Sequence, residues 1–247
     1  MLAYDEDDLP VQRQASLPLL VFNTIYNDTS SELSTAIGEL IYGAMFFAMR
    51  SCEYSKTQER NPKSKILTVG DVQFYNKTGH RVNKNLHQAH AVKITFRNQK
   101  NGEKMESITR YRSKSKYGSD PISIWAQIIS RINKIDGTTD TTPVNIVCIN
   151  KKLHYITASQ LRTCIKSTVK QIGFKILGIH PHEVGTHSIR TSFATFLAAM
   201  NVDVKYIMIQ GRWKSDCVLR YIRKDIVDNN ISRHILNCTN VLRRKLA

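Results

Sequence analysis

The chain contains three telling stretches, Gly185-Thr186-His187-Ser188-Ile189-Arg190, Gly211-Arg212-Trp213-Lys214-Ser215-Asp216 and Leu219-Arg220-Tyr221-Ile222-Arg223. Together they supply an imidazole, a guanidinium, an indole and a phenol. This order suits phosphodiester chemistry, because guanidinium groups bind phosphate oxygens and a phenol can attack phosphorus. We expect the rest of the chain to complete this set of groups.

The first stretch is predicted to begin a helix. Thr186 has the residue type of an N-cap, and the apolar residues that follow keep a helical period. His187 and Arg190 are three residues apart, so both belong to the first turn, where backbone N–H groups favour an anion. The sequence therefore predicts a phosphate site at this helix start. The buried face of the helix is predicted to contain Ile189, Phe193, Phe196, Leu197 and Met200.

The composition favours a nucleic-acid partner. The chain has 247 residues and 41% hydrophobic content, which is enough to bury a core. It carries 36 Lys and Arg against 20 Asp and Glu, a formal charge of +16. A folded domain this basic is typical of proteins that neutralise phosphates. The alternatives are a solvated basic surface and a basic structural, ribosomal, RNA-binding or membrane-surface protein.

The cysteines and the first residues of the chain indicate an intracellular protein. Five cysteines stand far apart without a C-x-x-C pair, which favours a reducing compartment and not a disulfide framework or zinc ribbon. The sequence 5–8 is acidic, unlike the basic start of a signal peptide, and we see no apolar run that would span a bilayer. We expect an intracellular location, nuclear if the source is eukaryotic, and no membrane partner.

Three histidines close together raise the question of a metal site. His180, His182 and His187 fall within eight residues. No cysteine or carboxylate spacing nearby completes a common zinc pattern, and Pro181 separates the first two. We therefore predict neither a metal site nor a cofactor.

The chain before residue 185 is predicted to alternate between helices and a small sheet. Helical periodicity predicts a short helix at 17–26. It predicts more clearly a second helix, which begins after Ser30 or Ser31 and has residues 49–53 at its C-terminal end. A loop is predicted at 136–143. The other predicted strands are at 65–69, which 72–74 would extend, at 91–97 and 104–110 around a turn at 98–102, and at 144–149. The other predicted helices are at 121–132, from 157 or 159 to 172, and from 204 to 210. We expect a mainly helical α+β fold with a small three-stranded antiparallel sheet.

Arg50 follows a strongly apolar helix, so it is expected to lie near the core and to need an anionic partner. One candidate is Glu53, three residues on and on the same face if the helix continues. The other is a substrate phosphate, with Glu53 holding the guanidinium from behind. Both hypotheses remain open from the sequence.

In combination, these residues resemble the catalytic domain of the tyrosine recombinase (phage integrase) family. The shared pattern is an arginine in an R-x-x-E setting, a hairpin lysine, H-x-x-R, a His or Trp after glycine, and then the tyrosine. Here these are Arg50, Lys100, His187, Arg190, Trp213 and Tyr221. The resemblance covers about residues 15–235. The stretches that contain T-H-S-I-R, G-R-W-K-S-D and L-R-Y-I-R look most like eukaryotic Crypton-type transposon recombinases.

The resemblance implies a DNA recombinase or integrase that cuts and rejoins strands. Tyr221 would attack the scissile phosphate and form a 3'-phosphotyrosyl bond, without ATP or a metal ion. Arg50 and Arg190 would bind the non-bridging oxygens. His187 and Trp213 would complete this cage, with the indole N–H donating beside the phosphate.

The resemblance also implies the DNA contacts and the partners. Lys100 would protonate the leaving 5'-hydroxyl, with Lys104 as the alternative. The expected partner is double-stranded DNA, bound by a dimer or tetramer of the chain, on which a segment at 226–242 is expected to pack as a final helix. The residues predicted to contact DNA are Arg97, Lys104, Arg212 and Lys214, and Glu53 is predicted to support Arg50.

Two departures from the family pattern leave alternatives open. We expect residues 1–15 to be an extended lead-in and 16–247 to be the catalytic domain, with the family's N-terminal core-binding domain apparently absent. The family commonly places its second His or Trp nine residues before the tyrosine, which is the position of Arg212, whereas Trp213 precedes Tyr221 by eight. We assign the role to Trp213. The alternatives are a DNA-binding protein that has lost catalysis, a type IB topoisomerase and an unrelated basic RNA-binding or structural protein.

Overall fold

The structure, a computed structural model, describes residues 14–56, 65–98, 104–112, 120–215 and 218–219, without the side chains of Asn98 and Lys104. The helices are α1 Leu19–Tyr26, α2 Glu32–Phe46, α3 Ser51–Tyr54, α4 Pro121–Asn133, α5 Ala158–Ile172, α6 Phe174–Leu177, α7 His187–Ala199 and α8 Val204–Gly211. The strands are β1 Val72–Tyr75, β2 Arg81–Val82, β3 Ala91–Asn98, β4 Lys104–Tyr111, β5 Ile146–Ile149 and β6 Lys152–Tyr155. The predicted mainly helical α+β fold is confirmed. Within these ranges no helix is long and apolar enough to cross a membrane.

Helix α2 lies at the centre of the fold. Its start is fixed by Ser31, whose Oγ accepts a hydrogen bond from Ser34 N at 3.0 Å and so satisfies one of the first N–H groups. Residues 36–45 of α2 are all buried, since α1, α4 and α7 pack around it. The predicted start after Ser30 or Ser31 is confirmed, with Ser31 as the cap.

The end of α2 differs from the prediction. The helix stops at Phe46, and Ala48 has a left-handed φ of 47°, which redirects the chain. Arg50 is the N-cap of α3 instead of a continuation of α2. Its backbone N donates to Glu53 Oε2 at 2.9 Å, a local cap that begins the new helix. A continuous helix through Arg50 and Glu53 was therefore the wrong prediction, although the new turn keeps the two residues in contact.

The main sheet is antiparallel with the strand order β2-β1-β3-β4. The predicted β3–β4 hairpin is confirmed by its register, in which Asn98 pairs with Lys104. Its turn at 99–103 lies outside the described residues. Among the described residues the sheet has four strands and not the predicted three, because β2 contains two residues and is too short for an alternating pattern to reveal.

The prediction of a strand at 65–69 is wrong. Residues Val69–Asp71 form a 3₁₀ turn, and β1 begins only at Val72. The side chain of Asp71 causes the turn, because its Oδ2 accepts from Thr68 N at 2.9 Å. The turn is also tied to the loop at 136–143, since Gly70 N donates to Asp140 O at 2.8 Å. This loop has no regular secondary structure, as predicted.

A second hairpin, β5–β6, connects the core to α5. The prediction included β5 but not β6, a strand of four residues whose side chains are all exposed. Thr157 and Gln160 form a capping box that starts α5, with Thr157 N donating to Gln160 Oε1 at 2.9 Å. Lys56 joins this start to the end of α3, because its N and O both bond to the backbone of residues 156 and 158.

Two groups of buried side chains fill the interior. The larger one contains Trp125 of α4, which meets Phe47 edge-on at 6.1 Å and donates from Nε1 to Gly43 O at 3.3 Å. Trp125 is thus a core residue. The smaller group lies between α7, α8 and the turn after α2, and it contains Ala48, Phe193, Ala194, Ile207, Trp213 and Val218.

Candidate active site

Arg190 is fixed inside the protein between two chain segments. It belongs to the first turns of α7 and is 2% exposed. Its Nη1 donates to Ala48 O, in the turn between α2 and α3, and its Nη2 donates to Arg212 O at 3.4 Å. The guanidinium carbon lies 4.1 Å from the centre of the Trp213 ring. Two segments distant in sequence from α7, the turn after α2 and residues 212–213, therefore determine the position of this guanidinium.

Glu53 is the buried carboxylate of the site. It is 1% exposed and receives two parallel hydrogen bonds from Arg212, at 2.9 Å from Nη1 to Oε1 and 2.9 Å from Nη2 to Oε2. This bidentate pairing is the strong form of an arginine–carboxylate contact. The guanidinium of Arg212 also covers the Phe96 ring at 3.5 Å.

The burial of Arg212 corrects its predicted role. We predicted a DNA contact, but the side chain is 0% exposed and bound to Glu53. Both Nη atoms of Arg212 donate to the Glu53 carboxylate, so its charge is already paired inside the protein. Arg212 adopts a left-handed φ of 59° at the end of α8, which turns the chain so that Trp213 lies next to Arg190. Arg212 therefore organises the site from inside.

Arg50 contacts the same carboxylate from the outer side. Its Nη1 lies 3.2 Å from Glu53 Oε1, and its side chain is 21% exposed. Glu53 does stand behind this guanidinium, a contact that both of our hypotheses for Arg50 require. Arg50 and Arg212 thus share one carboxylate, with Arg50 as the member open to solvent. Arg190 joins them through the backbone, because it donates to Arg212 O and to Ala48 O, and Arg212 Nη2 also donates to Ala48 O at 3.4 Å. These three side chains are here called the arginine group.

The charges of this group set the ionisation of Glu53. Burial by itself would raise the pKa of the carboxyl group, but the charge and hydrogen bonds of Arg212 and the contacts with Arg50 more than offset it. The pKa of Glu53 therefore lies below its ordinary value, and the carboxylate is ionised at neutral pH.

Trp213 packs on the arginine group. Its ring faces Arg190 on one side and lies 6.4 Å from Phe193 in a near-parallel arrangement. Gly211 makes this position possible, because a Cβ there would come 1.7 Å from Cζ3 of the Trp213 ring. Trp213 and Arg212 are the two candidates for the family's second His or Trp position. Trp213 contacts Arg190 by its side chain, and Arg212 does so by its backbone oxygen.

His187 is the first residue of α7, and its side chain is exposed. The helix start is not the open anion site that we predicted. Gln14 Oε1 accepts from His187 N at 2.9 Å and from Ser188 N at 3.1 Å. These two N–H groups are therefore already bonded within the protein, and Thr186 provides no side-chain cap.

The remaining predicted residues are only partly described. Arg97 is 43% exposed at the side chain and pairs with Asp71 at 2.5 Å. Lys214 is exposed beside Trp213. Lys104 begins β4, next to the hairpin turn, and nothing is described of its side chain. The predictions for Lys100, for Tyr221 and for the segment 226–242 lie outside the described residues.

Arg110 is a partly buried arginine that the sequence did not single out. Its Nε donates to Phe46 O at 2.8 Å and its Nη1 donates to Gln210 Oε1, so it links β4 to the ends of α2 and α8. Burial, with the charge of Arg212, lowers its pKa to about 10. In the sequence, Arg110 looks like any polar residue of an edge strand, because its burial depends on helices that lie far away in the chain.

A basic face on α5 was also missed. Arg162, Lys166 and Lys170 are spaced by four residues, so they follow one side of the helix. Arg162 and Lys170 are exposed, Lys166 is half-buried, and α5 contains no acidic residue. The start of this helix is hydrogen-bonded to the backbone of Lys56, which follows Glu53 by three positions in the chain. The four-residue spacing was a visible signal for this face.

The histidines at 180 and 182 make ring contacts. His180 stacks on Phe174 at 4.2 Å and on His182 at 5.3 Å. In the parts of the chain that the structure describes, no group of three or more His, Cys, Asp or Glu side chains is arranged to hold a metal ion.

The comparisons with known proteins identify the fold. No protein-family profile and no curated protein sequence matches this chain. Among solved structures, it is similar to XerA recombinase, with a TM-score of 0.53 and 13% identity over 93% of this chain and 67% of that chain. It is also similar to the XerH site-specific recombinase bound to its difH substrate, with a TM-score of 0.52 and 16% identity over 93% and 57% of the two chains. The Tn1549 transposon integrase gives a TM-score of 0.46 at 14% identity over 92% and 67%. The XerA and XerH structures show that this chain has the fold of a tyrosine recombinase catalytic domain.

Proposed function

We propose that this chain is a DNA strand transferase, a site-specific recombinase or integrase that uses Tyr221 as its nucleophile. One observation carries the proposal. Arg50 and Arg212 pair with the buried Glu53, and Arg190 joins them through the backbone oxygen of Arg212 while it packs on Trp213. They do so in a fold shared with tyrosine recombinases. A scattered arrangement of these residues would have favoured an unrelated basic protein.

The proposed first step transfers a phosphoryl group from DNA to the protein. The oxygen of Tyr221 attacks the scissile phosphorus, the new P–O bond forms, and the bond from phosphorus to the 5' oxygen breaks. Lys100, or Lys104 as the alternative, gives the proton that the departing 5' oxygen needs. A 5'-hydroxyl then attacks the phosphotyrosine, which restores a phosphodiester and the phenol. The tyrosyl ester conserves the bond energy, so religation needs no ATP.

The arginine group is proposed to stabilise the charge that builds on the non-bridging oxygens. Arg50 meets the phosphate through its solvent-accessible guanidinium, and Arg190 adds charge from a position fixed before DNA binds. Glu53 and Trp213 restrict both guanidinium groups, so little reorganisation is needed during the reaction. His187, on the exposed first turn of α7, assists proton transfer.

The basic face of α5 is proposed to bind the DNA backbone. Replacing Arg162, Lys166 and Lys170 with Gln is expected to weaken duplex binding and to lower the slope of log K against log salt by about 0.9 for each lost phosphate contact. Binding is measured by fluorescence anisotropy at several salt concentrations. The matched control replaces Lys77, Lys84 and Lys134, which are exposed on other elements. Equal slopes for the two triple variants would show that only net charge matters and that α5 is not the interface.

The experiment that tests the function is the capture of a covalent adduct. The protein is incubated with nicked duplexes of random sequence, in which the released strand diffuses away and religation is prevented. A slowly migrating species on a denaturing gel is expected, with its DNA attached to Tyr221 by peptide mapping and no such species for Tyr221→Phe. An adduct on another residue contradicts the assignment of Tyr221. Intact DNA binding without an adduct would indicate a DNA-binding protein that has lost catalysis.

A further inference from the structure

Residues 14–17 form a short segment, here called the strap, that runs along the helix carrying His187 and Arg190. At its first residue, Gln14 Oε1 accepts from the backbone N of His187 and of Ser188. Ala15 N donates to Glu183 O at 2.8 Å. At the other end, Leu17 N donates to Ser192 Oγ at 2.8 Å. The strap therefore follows α7 from its start to its second turn.

The side of α7 that faces the strap is built from small residues. A Cβ on Gly185 would lie 2.6 Å from Nε2 of Gln14, so only glycine lets the carboxamide come this close. Ser188 supports the same turn, because its Oγ accepts from Gly185 N at 3.2 Å. Ser16 and Leu17 are buried. The sequence suggested an extended lead-in for 1–15, but residues 14 and 15 are held by defined hydrogen bonds.

The carboxamide of Gln14 acts as the missing cap of α7. The first N–H groups of a helix have no intrahelical acceptor, and the usual source of one is the N-cap side chain. Thr186 makes no such bond here. Gln14 supplies the acceptor from 173 positions away, and one of its two donors is the backbone of His187 itself. The strap therefore fixes the position of the first turn of α7 relative to the rest of the helix, which carries Arg190.

We infer that Gln14 is a positioning residue for His187 in the strand-transfer reaction, an inference that rests on the proposed function. Gln14 holds the backbone of the first turn of α7 and so fixes the point from which the exposed imidazole of His187 projects, one turn before Arg190. It acts through His187 and makes no contact with DNA. Loss of its two hydrogen bonds releases that turn, while Arg50, Arg190 and Glu53 keep their own contacts.

The test compares single-turnover adduct formation at saturating DNA in four proteins. These are the wild type, Gln14→Ala, Gly185→Ala and the double variant. Each single change is expected to slow adduct formation at least about tenfold, the size of effect that displacing a reacting group produces. The dissociation constant for DNA is expected to stay within about twofold, because the phosphate-binding groups are retained. Gly185→Ala displaces the carboxamide from the opposite side, so the double variant is expected to be no slower than either single variant.

Gln88→Ala is the control, since Gln88 is exposed on a turn away from α7. Amide exchange of His187 is followed in the same proteins, and it is expected to accelerate in Gln14→Ala. Ser188 N also donates to Gly185 O at 3.1 Å, so its exchange is expected to change less. An adduct rate for Gln14→Ala equal to that of the wild type overturns the positioning role. A faster rate overturns it too, because Gln14 would then be blocking the helix start. Multiplying effects in the double variant would show that Gly185 acts without Gln14. If the wild type itself forms no adduct, the proposed function fails, and the role of Gln14 in that reaction fails with it.

Discussion

Replacing Arg190 with lysine is expected to slow covalent adduct formation by about 10²–10³-fold, the effect of removing one donor that stabilises a developing negative charge. The guanidinium is planar, donates to Ala48 O and Arg212 O together, and lies over the Trp213 ring at 4.1 Å from its centre. A lysine ammonium is a compact charge that cannot form this arrangement. The loss is expected in the rate of the chemical step, measured at saturating DNA, and much less in DNA affinity.

The control for this substitution is Arg131→Lys. Arg131 is also a largely buried arginine, and it donates to Ile146 O and pairs with Glu39 at 2.8 Å. It packs beside α2 and β5 and not in the arginine group. Arg131→Lys is expected to lower the thermal midpoint without changing the rate of adduct formation in the folded protein. Equal rate losses in the two variants would mean that Arg190 has only a structural role.

Replacing Glu53 with alanine is expected to destabilise the protein by about 3–5 kcal/mol, the cost of leaving a buried charge without its partner. Arg212 is 0% exposed at the side chain, so water cannot replace the carboxylate. The loss is measured as a shift in the urea midpoint. The matched control is Glu39→Ala, whose partner Arg131 is 19% exposed and keeps its bond to Ile146 O. If the urea midpoint falls no further for Glu53→Ala than for Glu39→Ala, the assigned role of Glu53 is contradicted.

The pH dependence of stability gives an independent readout for Glu53. Its pKa in the folded protein lies below the ordinary carboxyl value, because Arg212 and Arg50 favour the ionised form. The resulting stabilisation is complete above the unfolded pKa of about 4.3 and is lost as the pH falls through the lower folded pKa. Glu53→Gln is expected to remove this part of the acid sensitivity. If the difference in the free energy of unfolding between wild type and Glu53→Gln is the same at pH 7 and at pH 3, this role of Glu53 is contradicted.

The sequence predicted the elements whose signals are local. Ser31 and Thr157 begin helices through bonds to residues three positions on, and the β3–β4 register follows from alternation on both sides of the turn. The predictions failed where a local side-chain bond outweighed the apolar pattern. Asp71 made a turn where a strand was expected, and Glu53 began a new helix where α2 was expected to continue.

For the site, the sequence determined which residue types are present and in what order, namely Arg50, Glu53, His187, Arg190 and Trp213. Only the tertiary structure decided what surrounds each of them. Arg212 is bonded to Glu53 across 159 positions, which made it an internal support and not a DNA contact. Gln14 reaches His187 across 173 positions and occupies the helix start that had looked open. Caps, turns and alternation are set by neighbours within a few residues, so a sequence displays them, whereas the burial and bonding of a side chain depend on segments that only folding brings together.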